Sequence, residues 1–461
     1  MKNNIANNHI LKLRQLSKNL KLLKSSNNRK NILLSYTYEI KTKELLSIYQ
    51  DMNYLKPNEH KSYWEQSDSN YSHITMGINK YYDLEKINDL DTISKKIEEI
   101  IKTNCHIGKL PPKIIGGIKF NSNHYQNKKS IWDGQPNGMF IIPEIIITAI
   151  NKNQFATVIC FVDNNEKEDI LIKKLSSKID LITKLLKMKK RTNKNILNNI
   201  KTSRQVPEKK KFMASVTNAI NQIKQKKLKK IVLSYMDVIS FKKSFEPINL
   251  IEKMKNENCT NYHFQMKNGS SIFGTSPEKL FNKNNQNIRT EALAGSNISK
   301  ENLLSSDKDL HEHQIVVEHI TKSLKTICKK IIYKNTPNIK SHNKLFHLNT
   351  KISGNLNKDI NPLLLIKKIH PTPAVCGMPT SKAIKQINKL EKTERGWYTG
   401  VIGWLDFSMN ADFIVNLRSG FYDKNYLYLF GGAGIVEESN PMLEWEEIKN
   451  KIDTIKGLLI K

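Results

Sequence analysis

The sequence predicts a mixed α and β fold, on two observations. From Phe273 to Ser296, β-rich runs alternate with small-residue turns: Phe273-Gly-Thr-Ser-Pro-Glu-Lys-Leu-Phe281 and Ile288-Arg-Thr-Glu-Ala-Leu-Ala-Gly-Ser296 read as strand, turn, strand. Helical stripes lie behind them. Ile315, Val316, Ile320 and Leu324 recur at helical spacing, as do Ile448, Ile452, Ile455 and Leu459 behind Pro441.

In chain order, residues 1–30 are rich in lysine and asparagine, with leucines at Leu11, Leu13, Leu16, Leu20, Leu22 and Leu23. That pattern suits a short amphipathic helix or a frayed, flexible extension. Over residues 31–205, strands and helices alternate. Gly116 and Gly117 lead into Ile118-Lys-Phe120, and Gly138 to Ile150 reads as buried strand broken at Pro143. Leu171 to Arg191 is helical, and the polar stretch Thr192 to Pro207 reads as a loop between the halves. Residues 206–461 carry the informative half, with a helix over Phe212 to Lys227 and a long strand over Lys230 to Phe241.

A chain of 461 residues can bury a large core, in one big domain or several smaller ones. The formal net charge of +32 raises nucleic acid as a partner. Only seven of the basic residues are arginine, however, and asparagine and isoleucine abound, as in a genome-wide compositional drift. No nucleic-acid-binding motif accompanies the charge, so a basic nucleic-acid-binding protein is a remote alternative. Cys105, Cys160, Cys259, Cys328 and Cys376 are odd in number and widely spaced, which indicates neither structural zinc nor a disulfide framework. The start lacks the apolar core of a signal peptide, and no apolar run approaches a membrane span. The expectation is a soluble protein of a reducing cytoplasm with no membrane partner.

The stretch around which the rest is organised is Phe430-Gly-Gly-Ala-Gly-Ile-Val-Glu-Glu-Ser-Asn-Pro-Met-Leu-Glu-Trp-Glu-Glu-Ile448, read as strand end, glycine turn and helix. Glu444, Glu447 and Lys451 border the apolar stripe of that helix. Acids near a helix start are also favoured by its dipole alone. The other helix shifts the balance, because Glu312 falls on the same stripe as Ile315, Val316, Ile320 and Leu324. A buried carboxylate costs several kcal/mol unless compensated. Acids from two helices without clustered thiolates suggest a hard divalent ion, Mg²⁺.

From Val206 onward the segments stand in the order of a known family. They are Lys230-Ile-Val-Leu233, Gly274-Thr-Ser-Pro-Glu-Lys-Leu280, Arg289-Thr-Glu-Ala-Leu-Ala-Gly-Ser296, Glu312-His-Gln-Ile-Val-Val317 and His347-Leu-Asn-Thr-Lys-Ile-Ser-Gly-Asn-Leu356. Then come His370-Pro-Thr-Pro-Ala-Val-Cys-Gly-Met-Pro379, Arg395-Gly-Trp-Tyr-Thr-Gly-Val-Ile-Gly-Trp-Leu-Asp406, Ile414-Val-Asn-Leu-Arg-Ser419 and the glycine stretch with Glu444-Trp-Glu-Glu447. The chain resembles the chorismate-utilising enzymes, and among them the isochorismate synthases. The resemblance implies a single large α+β domain, two antiparallel sheets packed as a sandwich with helices outside and the site between them. It implies chorismate as substrate and Glu312 and Glu447 as holders of Mg²⁺, with Glu444 acting behind them or through water. The substrate's carboxylates would fall to Arg418, Tyr398, Lys451 and the amides around Ala433 and Gly434, and His347 would sit over the ring.

In enzymes of this kind, water adds at C2 while the C4 hydroxyl leaves from the opposite side of the ring. Lys230 matches the general base and Glu278 the general acid, which calls for burial and opposed pKa shifts. Lysine at 230 favours water over the ammonia of anthranilate synthases. Ala294 stands where aminodeoxychorismate synthases place a nucleophilic lysine. Ala374 stands where salicylate synthases tend to have threonine, and a salicylate synthase is the closer alternative. The product would feed menaquinone or a catecholate siderophore, from a monomer without an amidotransferase subunit. Tyr235, Cys376 and Val401 depart from the family pattern, and the first half matches only loosely, as scaffold.

Overall fold

The computed structural model describes residues 9, 11–18, 31–121, 130–163, 166–188, 199–255, 258–297, 299–342, 345–391 and 393–459. The elements that build the site are the strands β1 (Lys230–Phe241), β2 (Ser271–Ser276), β3 (Lys279–Asn284), β4 (Asn287–Asn297), β5 (Leu345–Leu356), β6 (Ala411–Val415), β7 (Ser419–Asp423) and β8 (Tyr426–Ile435). Two helices join them, α1 (Asp307–Lys325) and α2 (Pro441–Lys456).

Among the described residues, two sheets, of 13 and 10 strands, take strands from both halves of the chain. In the larger, Ile200–Val206, β1, β8, β7, β2 and Thr260–Gln265 lie side by side, and Thr260–Gln265 then pairs with Lys61–Gln66 of the first half. In the smaller, β5, β4, β3, β6 and Val401–Asp406 continue into Lys113–Ile118. Because each sheet crosses the midpoint of the chain, neither half has a sheet of its own. Pairing is antiparallel throughout the described ladders except between Asn31–Glu39 and Cys105–Ile107.

Trp64, Tyr262, Phe264, Trp397, Ile402, Trp404, Ile414 and Phe430 form an apolar layer drawn from both sheets. Helices cover the outer faces. Val316, Ile320 and Leu324 of α1 pack on the smaller sheet, and Ile448, Ile452 and Ile455 of α2 on the larger. The expected sandwich with helices outside is therefore the observed α+β fold. Among the described residues no helix is long and apolar enough to cross a membrane, and all five cysteines are free and buried.

Pro143 does break its strand, and at that point the chain leaves the smaller sheet (Gly138–Ile142) for the larger (Ile145–Ile150). Residues 11–18 are helical, with Leu13 and Leu16 in the core. Two readings need correction. Much of Thr192 to Pro207 lies outside the described residues, but Ile200–Val206 is a strand paired with β1 and not a loop. It lies at a sheet edge, where polar side chains face solvent and composition alone does not announce a strand. The helix begun near Leu171 runs Glu168–Lys187.

The glycine stretch is also not a turn. Gly431, Gly432 and Gly434 lie inside β8, opposite Tyr235, Ser234 and Val232 of β1. Their small size answers crowding. A Cβ at Gly431 would lie 2.6 Å from Ile448 Cγ2, and one at Gly432 would lie 3.0 Å from the Tyr398 hydroxyl. The chain turns only after Ile435, where the Asn440 side chain accepts from the Met442 and Leu443 amides and caps α2.

Candidate active site

The chain passes from the larger sheet to the smaller through Pro277 and Glu278, between β2 and β3. It returns through Asn416, Leu417 and Arg418, between β6 and β7. The two links are joined, since Thr275 N donates to Arg418 O at 3.2 Å and Val415 N to Glu278 O at 3.1 Å. Ser276 Oγ fastens the turn by donating to Val415 O at 2.6 Å. Both links face a cavity of about 670 Å³, counting its open mouth, a size suited to a small ligand. Glu278, Glu312, His347, Ala374, Tyr398, Arg418, Gly434, Glu447 and Lys451 line it. Lys230, Ala433 and Glu444 stand behind this lining.

Lys230 heads β1 and is fully buried, with its ammonium 2.9 Å from Glu312 Oε1. The contact is close enough for charge pairing but off the angle of a hydrogen bond, so the ammonium's donors are not satisfied. Gly434 makes room for this pair, because a Cβ there would collide with Glu312 Oε1 and lie 3.0 Å from Lys230 Cε. Burial opposes charge on Glu312, yet Lys230, Lys308 and Lys451 together outweigh it and lower its pKa. Glu278 is in the opposite situation. Burial, and next the charge of Glu291, push it up to about 8, against the pull of Lys230 and Lys340.

The remaining acids pair similarly. Glu447 meets Lys451 at 2.6 Å, and Lys451 also donates to Gly432 O at 2.9 Å. Glu444 is 1% exposed and meets Lys308 at 2.7 Å, with no aligned hydrogen-bond donor on either oxygen. Burial and the neighbouring Glu447 raise it to about 7. Lys308 is a residue sequence reasoning missed. Burial works to lower its pKa, but Glu447, Glu444 and Glu312 together drive it up. Three carboxylates from two helices thus converge on one cation. Its position four residues before Glu312, hence on the same face of α1, was the available signal.

Arg418 is buried, and burial lowers its pKa to about 10. One terminal nitrogen lies 3.3 Å from His347 Nε2 and the other has no partner. A guanidinium only donates, so the His347 proton belongs on Nδ1, donated to Ser296 Oγ at 2.8 Å. Tyr398 stacks on Phe430 with centroids 5.0 Å apart. On β1, Val232 N donates to Cys376 O and Ser234 N to Glu391 Oε1, away from β8. In an antiparallel ladder their partners Gly434 and Gly432 then turn their amides to the other edge, and Ala433 turns its own toward Leu233. Since β7 pairs with β8 only as far as Leu429, the edge carrying the Gly432 and Gly434 amides extends past it.

Several other polar and aromatic residues of the motif segments fall outside the cavity. His313 bonds Thr350 Oγ1 at 2.8 Å, His370 is buried against Phe120, and Glu291 pairs with Lys340. Trp397 and Trp404 belong to the core between the sheets, and Lys209 lies over Trp445. Tyr235 and Cys376 are buried away from the lining.

Among the described residues no three His, Cys, Asp or Glu side chains form a ready metal cage. The donor chemistry nevertheless fits Mg²⁺. Glu312, Glu444 and Glu447 offer only carboxylate oxygen, Glu444 lacks hydrogen-bond donors, and all three already surround a positive charge.

Residues 17–460 match the chorismate binding enzyme family. The isochorismate synthase MenF of Bacillus subtilis (strain 168) is 27% identical over 444 residues, covering 91% of this chain and 92% of its own. The isochorismate synthase EntC of Escherichia coli (strain K12) is 30% identical over 269 residues, 56% of this chain and 69% of its own. The solved structure of MenF, the menaquinone-specific isochorismate synthase from Escherichia coli, shares the fold with a TM-score of 0.77 at 21% identity, covering 97% of this chain and 99% of that one. A match running almost from end to end, on a fold that brings Glu278, Glu312, Arg418 and Glu447 to one cavity, shows that this chain belongs to the chorismate binding enzyme family.

Proposed function

We propose that this protein is an isochorismate synthase. The observation that carries the proposal is the meeting at one cavity of Glu278, whose carboxyl burial pushes up to about 8, and the fully buried Lys230, which acts on Glu278 electrostatically. Water adds to C2 of chorismate as the ring double bonds shift and the C4–O bond breaks. Lys230, once it has given up the proton of its ammonium, accepts the proton of the attacking water, and Glu278 gives its proton to the departing hydroxide, which leaves as water. One water enters and one leaves, so the reaction is an isomerisation.

Arg418 takes a substrate carboxylate with its unpartnered nitrogen, a charged donor suited to that group. Tyr398, Lys451 and the amides of Gly432 and Gly434 complete the anion site, with Ala433 backing them. His347, fixed by Ser296, stands over the ring, and Ala374 shapes its pocket. Glu312 and Glu447, backed by Glu444, would hold Mg²⁺, whose charge would offset that of the ring carboxylate. Ala294 on the cavity wall supplies no amine to attack the ring. A single chain carries every group named, so neither an amidotransferase subunit nor a second copy is needed. Separation of products after incubation with chorismate and Mg²⁺ tests the proposal. Isochorismate alone supports it, and salicylate with pyruvate would make the protein a salicylate synthase.

A further inference from the structure

The link that carries Glu278 is held from both sides by one ion pair outside the cavity lining. Glu291, on β4, accepts the backbone N–H of Lys279 at 2.9 Å through Oε1. The same carboxylate takes Lys340 Nζ at 2.9 and 3.1 Å, and Lys340 in turn donates to the carbonyl of Pro277. Residues 277 and 279 are thus tied to one carboxylate, the first through Lys340 and the second directly, with Glu278 between them. Pro277 lines both the catalytic cavity and a wide outer groove that Glu291 and Lys340 also line, so the pair forms part of the partition between the two. Lys340 sits opposite His347 in the ladder between Asn338–His342 and β5, so the clamp is built on the strand that presents His347.

We infer that Glu291 and Lys340 are positioning residues for the proton donor Glu278, fixing its backbone and setting the charge around it. This inference rests on the proton-donor role proposed for Glu278. A buried carboxylate already paired to a lysine could have been placed anywhere on this sheet. Here its remaining hydrogen bond goes to the peptide beside the acid, and the lysine's goes to the peptide before it. The charged groups acting on Glu278 are Glu291, Lys230 and Lys340. Glu291 favours its protonated form, and the two lysines oppose it. The two halves of the clamp therefore act on the acid's proton in opposite senses while acting together on its position.

The test is kinetic, on the purified full chain with chorismate and Mg²⁺. Glu291→Gln keeps an oxygen acceptor for the Lys279 amide but removes the charge, so the basic limb of kcat moves to lower pH with a modest loss of rate. Lys340→Met removes the positive charge, so the limb moves to higher pH. Glu291→Ala removes the grip as well, and kcat falls by about 10²-fold with KM changed far less, as expected for a misplaced catalytic group. Lys340→Arg restores most of the rate. A purely structural pair would lower stability without moving the two limbs in opposite directions. If Glu291→Ala fails to fold, the opposed limbs of Glu291→Gln and Lys340→Met decide. The inference is overturned if both limbs stay where wild type has them while Glu278→Gln is inactive. If Glu278→Gln turns over like wild type, the proton-donor role itself is wrong.

Discussion

Lys230 and Glu312 face each other at 2.9 Å at the edge of the cavity, one at the head of β1 and the other on α1, and the bare backbone of Gly434 leaves the room they need. Replacing Lys230 by Ala removes the proposed base. Turnover should fall by about 10² to 10⁴-fold. Glu312 retains the fields of Lys308 and Lys451, so the protein should still fold. Near-wild-type rates with a normal melting curve would remove Lys230 from the chemistry.

Glu278 ties activity and stability to pH in the same sense. As the donor it must be protonated, so kcat should decline as pH rises through about 8. Its folded pKa lies above the ordinary carboxyl value of 4.5. The folded state therefore holds the proton more tightly between those two values, and stability falls as pH rises across that window. Glu278→Gln removes this penalty, so at pH 8 and above it should melt higher than wild type while its turnover is lost. A variant with unchanged melting at both pH 5 and pH 8.5 would contradict the burial argument.

Arg418→Ala removes the unpartnered guanidinium nitrogen. Steady-state kinetics should show KM rising by about 10 to 100-fold, the scale of one lost charge-assisted contact. Arg418→Lys should recover little, because a lysine cannot present the planar fork. Unchanged KM in the alanine variant would place the substrate's carboxylates elsewhere.

Mg²⁺ binding can be followed without turnover. Titration calorimetry should detect Mg²⁺ binding to wild type and its loss in Glu312→Ala and Glu447→Ala, with Glu444→Gln weakened but measurable. Heats of wild-type size in both alanine variants would move the ion away from these acids.

Much of this site was legible in the sequence because helical spacing and burial are local. Ile315, Val316 and Ile320 define the inward face of α1, and Glu312 falls on it. Pro143 marked a strand break for a similarly local reason. What escaped depends on contacts between segments far apart in the chain. Gly431, Gly432 and Gly434 resemble a turn by composition, yet they are a strand thinned to admit Ile448, Tyr398 and Glu312. The convergence on Lys308 appears only when α1 and α2 are brought together. The grip of Glu291 on the Lys279 amide requires β3 and β4 in register. Which amides of β8 face the cavity depends on where Val232 and Ser234 direct their own hydrogen bonds.

The most direct measurement is turnover of chorismate by the purified protein with Mg²⁺ in ¹⁸O-water, with the product separated and weighed by mass spectrometry. Addition of solvent water at C2 predicts isochorismate carrying one heavy oxygen, formed without ammonia. Unlabelled isochorismate, salicylate with pyruvate, or no consumption of chorismate would contradict it.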